Sequence, residues 1–580
     1  MKHKLLILMV LSAAFAACEK APETDHGERV SEIASEFMEA YYQQYPAEAA
    51  ESGYPNAPMN HFGDLSEESS AAFDARIDAW LAELDKLDLS QLAGTPAART
   101  WLFTHDRLRA LADRRVCRMA LWNVSPTWTG WHQQVILALS VQPVATGAEK
   151  AAALARAEDI PRYIDTEISN LRRGADGGYR APASNVAAFL EQVNALLEAP
   201  TGASPFFAPA ARSEDTEFIS AYRKILESEV TPALARYRDF LRDDYQGRDR
   251  VGVAANPDGE ACYRASVRYW SSLSMEPADI HRAGLNAMAR IRSEMLAIAQ
   301  EHFGTSDLDS LFDDLRANPE YTFASEEAML DYVNAAVARA ENAMGDWFRD
   351  VPRSRLVVYA APAFEKDSGG GFYSVGAGED ELLGYYKVGT HNPTNISMAG
   401  TEATAFHESW PGHHLDAIIT LNNKTLHDIQ RYTYLAGTSE GWGLYSERLA
   451  DEIGLYSSPL SRLGMLSNEA YRAARLVVDT GIHVMGWTRQ DAIDYMLENT
   501  VEGLDSISGE VDRYAAVPGQ ATAYMLGSLE IQRLRHRAET LLGERFDIRD
   551  FHDRILSNGA VTLPMLATAV DEWIEETLAD

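Results

Sequence analysis

The stretch Thr401-Glu-Ala-Thr-Ala-Phe-His407-Glu408-Ser-Trp-Pro411-Gly412-His413-His414-Leu-Asp416 holds three histidines and three carboxylates within sixteen residues. Its flanks read with helical spacing. The Pro411-Gly412 pair interrupts that helix, because proline removes a hydrogen bond and glycine relaxes the backbone. A candidate metal site therefore sits on a broken helix.

Zinc-dependent hydrolysis uses neutral imidazoles, a third ligand that is often a carboxylate, an open position for water, and a carboxylate base beside it. His407-Glu408 supplies a ligand and a base as neighbours. In the usual H-E-x-x-H pattern the second histidine lies four residues on, but here that position is Pro411. On a regular helix His413 would lie roughly 240° round from His407, and His414 on the same face but about 10 Å along the axis. A widened turn at Pro-Gly favours His413 as second ligand, with His414 as the alternative.

Two further clusters follow. Thr438-Ser-Glu440-Gly-Trp-Gly443-Leu-Tyr-Ser-Glu447 reads as the opening of a helix with Thr438 or Ser439 as its cap. Glu440, 27 residues after His413, is a candidate third ligand. Glu447 could support a histidine from behind, and Gly441 and Gly443 allow close helix approach. Then come Glu510-Val-Asp-Arg513-Tyr514 and Pro518-Gly-Gln520-Ala-Thr-Ala-Tyr524. The Tyr524 hydroxyl could stabilise an oxyanion, Arg513 could hold a carboxylate in a bidentate pair, and Gln520 is a further candidate substrate contact. His483, four residues after Asp479, is a candidate hydrogen-bond donor to a cavity.

These segments resemble the hallmarks of a bacterial family known as domain of unknown function 885: His-Glu-x-x-Pro-Gly-His-His, Glu-Gly-Trp-x-Leu-Tyr-x-Glu and Pro-Gly-Gln-Ala-x-x-Tyr. That family is in turn similar to helical gluzincin peptidases such as thermostable carboxypeptidase, angiotensin-converting enzyme and thimet oligopeptidase. The resemblance implies His407, His413 and Glu440 as ligands of one Zn2+, Glu408 as base and Tyr524 as the transition-state tyrosine. It likens Tyr385 to Lys387, with Tyr385 and Tyr386 as substrate contacts, to the strand that pairs with a substrate backbone. The two-residue insertion between His407 and His413 departs from the peptidase pattern.

Outward from these motifs the chain is mainly α. Ala71–Leu87, Glu214–Arg242 (kinked at Pro232), Pro277–His302, Ser325–Arg349 and Ser528–Leu542 read with helical spacing. Strand signal is confined to Arg355–Tyr359 and Leu382–Val388, around a glycine-rich loop at Ser368–Tyr373. The expected architecture is a large helical two-lobed body with a deep central channel and a small β element beside the metal-binding helix. Residues 25–345 would form the N-terminal lobe and 346–580 the metal-binding lobe.

The N-terminus reads as a leader. Lys2 and Lys4 precede an apolar run that ends in small residues, giving a signal peptide over 1–17. Cys18 after Ala16-Ala17 predicts lipidation, with 18–24 as a tether, and so a periplasmic protein anchored to a membrane only through that lipid. The full chain has 580 residues, with 52 Lys+Arg against 86 Asp+Glu, a net charge of −34. Such acidity without a basic cluster argues against nucleic acid. Cys117 and Cys262 could pair in an oxidising compartment or remain buried thiols.

The leading expectation is zinc-dependent cleavage of short or unfolded peptides, carboxypeptidase-like or oligopeptidase-like. Two alternatives remain. One is an exported peptide-binding lipoprotein without catalysis. The other is a serine hydrolase using Ser439 in Gly437-Thr-Ser-Glu-Gly441, which needs a strand at Tyr432–Leu435 and alternating strands and helices elsewhere.

Overall fold

The computed structural model describes residues 25–361, 371–377 and 382–579; the leader, the tether and Cys18 lie outside these. Helix α1 (His26–Gln44) starts at Asp25, whose carboxylate accepts from the Gly27 and Glu28 N–H groups. Helix α2 (Pro46–Glu51) follows with proline at its first position, where no N–H is required. Helices α3 (Pro96–Arg114) and α4 (Gly147–Asp176) continue the N-terminal part. Helix α4 opens on a capping box between Thr146 and Glu149. Around Pro232 helical structure runs from Thr216 to Asp244 without a break, with a π-helical turn at Leu226–Val230 just before the proline.

Helices α5 (Gly259–Ser271), α6 (Pro277–Ile298) and α7 (Glu326–Trp347) lead to the sheet. Its strands are β1 (Arg355–Ala360), β2 (Gly371–Ala377) and β3 (Leu382–Val388), in the order β1-β3-β2. Strand β3 runs parallel to β1 and antiparallel to β2, with Tyr385 opposite both Val357 and Ser374. The glycine-rich segment was expected as a loop; from Gly371 onward it is strand, and residues 362–370 lie outside the described ones. The site helices follow: α8 (Thr401–Glu408), α9 (His413–Asn422), α10 (Ala436–Ile453), α11 (Pro459–Val484), α12 (Leu504–Ala516), α13 (Ala523–Leu542) and α14 (Leu563–Ala579).

The apolar packing does not divide at residue 345. Cys117, Trp122, Tyr263, Ile280 and Ile291 share one core with Leu466, Leu476 and Tyr514, so α5 and α6 pack with α11 and α12. A second core joins α7 and the sheet to α8, α10, α13 and α14. Two others lie in the N-terminal part, one centred on α4 and one on α1 and α3. The helices that carry His407, His413 and Glu440 rest on helices from both sides of that position. Cys117 and Cys262 form a disulfide within the first core.

A cavity of about 2960 Å³ runs between the N-terminal helices and the site helices, walled by Tyr41, Glu48 and Trp128 on one side and by Glu408, Glu440 and Arg475 on the other. This is the expected deep channel. Among the described residues no helix is long and apolar enough to cross a membrane.

Candidate metal centre

Helix α8 ends at Glu408, and Ser409–Gly412 form a turn before α9 begins at His413. The turn is closed by Gly412 N–H donating to the Phe406 carbonyl at 3.1 Å and His414 N–H to Ser409 at 3.2 Å. Only glycine fits at 412, since an added Cβ would lie 1.9 Å from the His407 carbonyl oxygen. The turn brings the His413 ring to 4.7 Å from the His407 ring, centroid to centroid and perpendicular to it.

Glu440 arrives from α10. Its Oε2 lies 3.3 Å from His407 Nε2 and 3.5 Å from His413 Nε2. One ligand atom from each of His407, His413 and Glu440 falls within 4.8 Å of the others, a spacing one metal ion can bridge. Two imidazoles and a carboxylate suit zinc, and leave a fourth position for water or substrate.

The triad is held from behind. Glu447, two turns along α10 from Glu440, reaches His407 Nδ1 at 2.9 Å. With Nδ1 turned to Glu447, Nε2 is the nitrogen that faces Glu440 and would bind a metal once deprotonated. Burial alone would lower the His407 pKa, but the Glu440 and Glu447 hydrogen bonds with the Glu408 charge raise it to about 9. Burial likewise opposes the charge on Glu440, and the two histidines outweigh it, holding that carboxyl well below its usual range. Gly443 gives His407 its room: a Cβ there would sit 2.6 Å from the imidazole. Gly441 packs on the Gly527 backbone of α13 at 2.6 Å from the same kind of added atom. Both glycines act as the sequence suggested.

His414 takes no part in the cluster. It is fully buried, stacks edge-on against Trp410 at 4.5 Å, and pairs Nδ1 with the Tyr373 hydroxyl at 3.1 Å. Burial lowers its pKa to about 4. Of the two alternatives for second ligand, the structure brings His413 to the cluster and turns His414 towards the sheet.

Glu408 lines the cavity beside the triad, its Cγ 3.1 Å from where a Gly371 Cβ would lie. Tyr524, at the start of α13, also faces this cavity, and burial and the Glu440 charge both raise its pKa. The Pro518-Gly519 turn that aims α13 is anchored by Asp479, whose Oδ1 accepts from Gly519 N–H at 3.1 Å and Tyr263 OH at 2.7 Å. Burial raises the Asp479 carboxyl to about 7.

Tyr434 was not anticipated. Its hydroxyl donates to Glu440 Oε1 while its ring faces the cavity, half exposed. The only signal was its place six residues before Glu440, in a segment read as a possible strand. That segment, Tyr432–Leu435, shares only Tyr432 with the short helix Asp428–Tyr432, and Ser439 lies in the first turn of α10, which begins at Ala436. Tyr432–Leu435, directly ahead of α10, is not a strand, so the nucleophile-elbow reading and the cap at Thr438 or Ser439 are both corrected.

Three other expectations change. His483 is wholly buried, accepting at Nδ1 from Val253 N–H at 3.0 Å and donating from Nε2 to the Tyr514 carbonyl at 2.9 Å. It pins backbone and is no cavity donor. Arg513 lines the cavity, but its fork is taken up by Glu510, through Nε at 2.9 Å and Nη2 at 2.8 Å, and Nη1 donates to Gln520. Arg513 is thus not open for a bidentate substrate clamp, and Gln520, which lines the cavity, gives its Oε1 to Arg513. Tyr385 and Tyr386 both line the cavity, yet β3 is paired on each side, so the backbone of Tyr385–Lys387 cannot also pair with a substrate. Among the described residues β2 is an edge strand of this sheet, and its first residue, Gly371, lies against Glu408.

The chain matches, over residues 46–570, the family described as bacterial protein of unknown function (DUF885). It belongs to the DUF885 family. Two solved structures resemble this DUF885 chain. A "putative lipoprotein" from Colwellia psychrerythraea is 24% identical, with a TM-score of 0.87 over 95% of this chain and 99% of that one. A "putative lipoprotein of unknown function" from Shewanella oneidensis is 18% identical, with a TM-score of 0.71 over 93% and 99%. At these identities the likeness concerns the fold. No curated protein matches the DUF885 chain.

Proposed function

We propose that this protein is a zinc-dependent peptidase acting on short or unfolded peptides. The observation that carries the proposal is the convergence of His407, His413 and Glu440 on one point, with Glu408 alongside, in the wall of a deep cavity. The similarity of the motifs to gluzincin peptidases supports the same reading.

His407, His413 and Glu440 would hold the ion. Zinc, when bound, supplies Lewis acidity that polarises a carbonyl and acidifies a water. The remaining work belongs to side chains. Glu408 accepts the proton of the attacking water and returns it to the leaving amine. Tyr524 donates its hydroxyl proton towards the developing oxyanion. Tyr434 keeps Glu440 oriented, as Glu447 does for His407. An extended peptide could lie along the outer edge of β2, through backbone hydrogen bonds, and the cavity walls would exclude folded proteins.

The descriptions of the two similar structures as lipoproteins support export and lipid anchoring through Cys18. They also keep a second reading in view, an anchored peptide-binding protein without catalysis. The two separate on one experiment. Purified protein with one zinc per chain is incubated with a mixed peptide library, stripped with a chelator, then reloaded. The peptidase reading expects cleavage that disappears and returns; peptide binding with no cleavage in any state would favour the alternative.

A further inference from the structure

Glu510 on α12 is shared. Besides the Arg513 fork, its Oε2 accepts from Arg475 Nη2 at 2.9 Å. One carboxylate therefore serves two buried guanidinium groups. Arg475 also donates Nε–H to the Tyr514 hydroxyl at 2.9 Å, but its Nη1, cut off from water, has no hydrogen-bond partner. Arg475 is 6% exposed.

Arg472 lies one turn earlier on α11, on the same face. It donates Nη1–H to the Asn468 carbonyl at 3.3 Å, and its buried Nε–H is likewise unpaired. Glu502 feels the Arg472 charge, yet burial raises that carboxyl above its usual range and so disfavours its ionised form. Three arginines thus share little more than one carboxylate, in a chain whose net charge is −34. Positive charge is in excess here, and a carboxylate entering the cavity that these side chains line would balance it through charge-assisted hydrogen bonds.

The pair faces the same cavity as the triad. The Arg475 guanidinium carbon sits 4.6 Å over the Tyr524 ring and 4.5 Å over the Tyr471 ring, which fixes it beside the tyrosine that borders Glu440.

We propose that Arg472 and Arg475 form a carboxylate-binding subsite in the cavity wall, which anchors a peptide through its C-terminal carboxylate or an acidic side chain. This rests on the peptidase reading for the identity of the ligand as a peptide, and it replaces Arg513 as the anchor. The step is an ion pair and breaks no covalent bond.

The test is equilibrium binding by calorimetry to the full chain after chelation, so that no hydrolysis intervenes. The probes are pentaalanine, its C-terminal amide, its N-acetylated acid, and Ala-Ala-Asp-Ala-Ala amide. The free acid should bind at least tenfold more tightly than the plain amide, and N-acetylation should change its affinity less than twofold. Arg472→Gln, at a partly exposed position, should bring acid and amide to within twofold; Arg475→Gln should do the same if its fold survives. The aspartyl amide tells the two sources apart: affinity equal to the free acid assigns the site to any carboxylate, and affinity equal to the plain amide assigns it to the terminus. Equal binding of acid and amide by the wild type, a ratio that survives in Arg472→Gln, or no binding of the acid would each overturn the proposal. Cleavage by the zinc-loaded wild type is measured separately. Its absence would remove the peptidase reading while leaving the binding ratio intact, and cleavage without that ratio would remove only the anchor.

Discussion

His407 Nδ1 and Glu447 Oε1 lie 2.9 Å apart, both buried, two turns of α10 away from the carboxylate that meets the other face of the same imidazole. Glu447 therefore holds the orientation of His407 and occupies its Nδ1, leaving Nε2 as the nitrogen that would bind a metal. Removing such a partner typically weakens metal binding about 10–100-fold. Glu447→Ala should do so in a competitive zinc-chelator titration, and Glu447→Gln, which keeps a hydrogen-bond acceptor, should lose less. Equal zinc affinity in the wild type and Glu447→Ala would count against this role.

His413 and His414 are adjacent in sequence and opposite in surroundings. His413→Ala should abolish stoichiometric zinc while leaving the fold nearly as stable as before, because its ring is partly exposed to the cavity. His414→Ala should retain zinc and lose stability by about 1–3 kcal/mol, since it empties a packed site and leaves the Tyr373 hydroxyl without its partner. Elemental analysis and denaturant unfolding of both variants check the pair. Zinc loss in His414→Ala alone would reverse the assignment.

His483 gives a pH signature. Burial lowers its pKa to about 3, so the folded chain keeps the ring neutral where the unfolded chain, near 6.5, takes up a proton. Stability from this residue is therefore independent of pH above about 6.5, and falls by about 1.4 kcal/mol per unit as pH drops from there towards 3. His483→Gln should start less stable at pH 7, having lost two buried backbone contacts, and show a shallower acid slope by about that amount. Parallel slopes in unfolding titrations between pH 6.5 and 4.5 would contradict it.

Much of this was open to reading from local pattern. His407-Glu408, the Pro-Gly break and Glu440 are close in sequence or on one helix face, and the glycines at 441 and 443 mark close approach whatever the partner. The widened turn at Pro411-Gly412 was legible because proline and glycine act on their own backbone. Other features depend on distant neighbours. Gly371–Ala377 carries a loop composition but gains a ladder from β3. Arg513 looks like a free clamp until Glu510, three residues earlier, folds back on it. His483 looks like a cavity donor until Val253 and Tyr514 claim its two nitrogens. The packing across residue 345 was not legible, because α6 packs on α11, about 180 residues later in sequence, a pairing that amphipathic spacing alone cannot assign.

In the proposed mechanism Glu408 is the proton carrier beside a zinc that His407, His413 and Glu440 would hold. The direct measurement is Glu408→Gln, with zinc content and peptide cleavage determined on the same preparation. The account predicts one zinc per chain, as in the wild type, and cleavage slowed about 10²–10⁴-fold. A variant that holds its zinc and cleaves at the wild-type rate would contradict it.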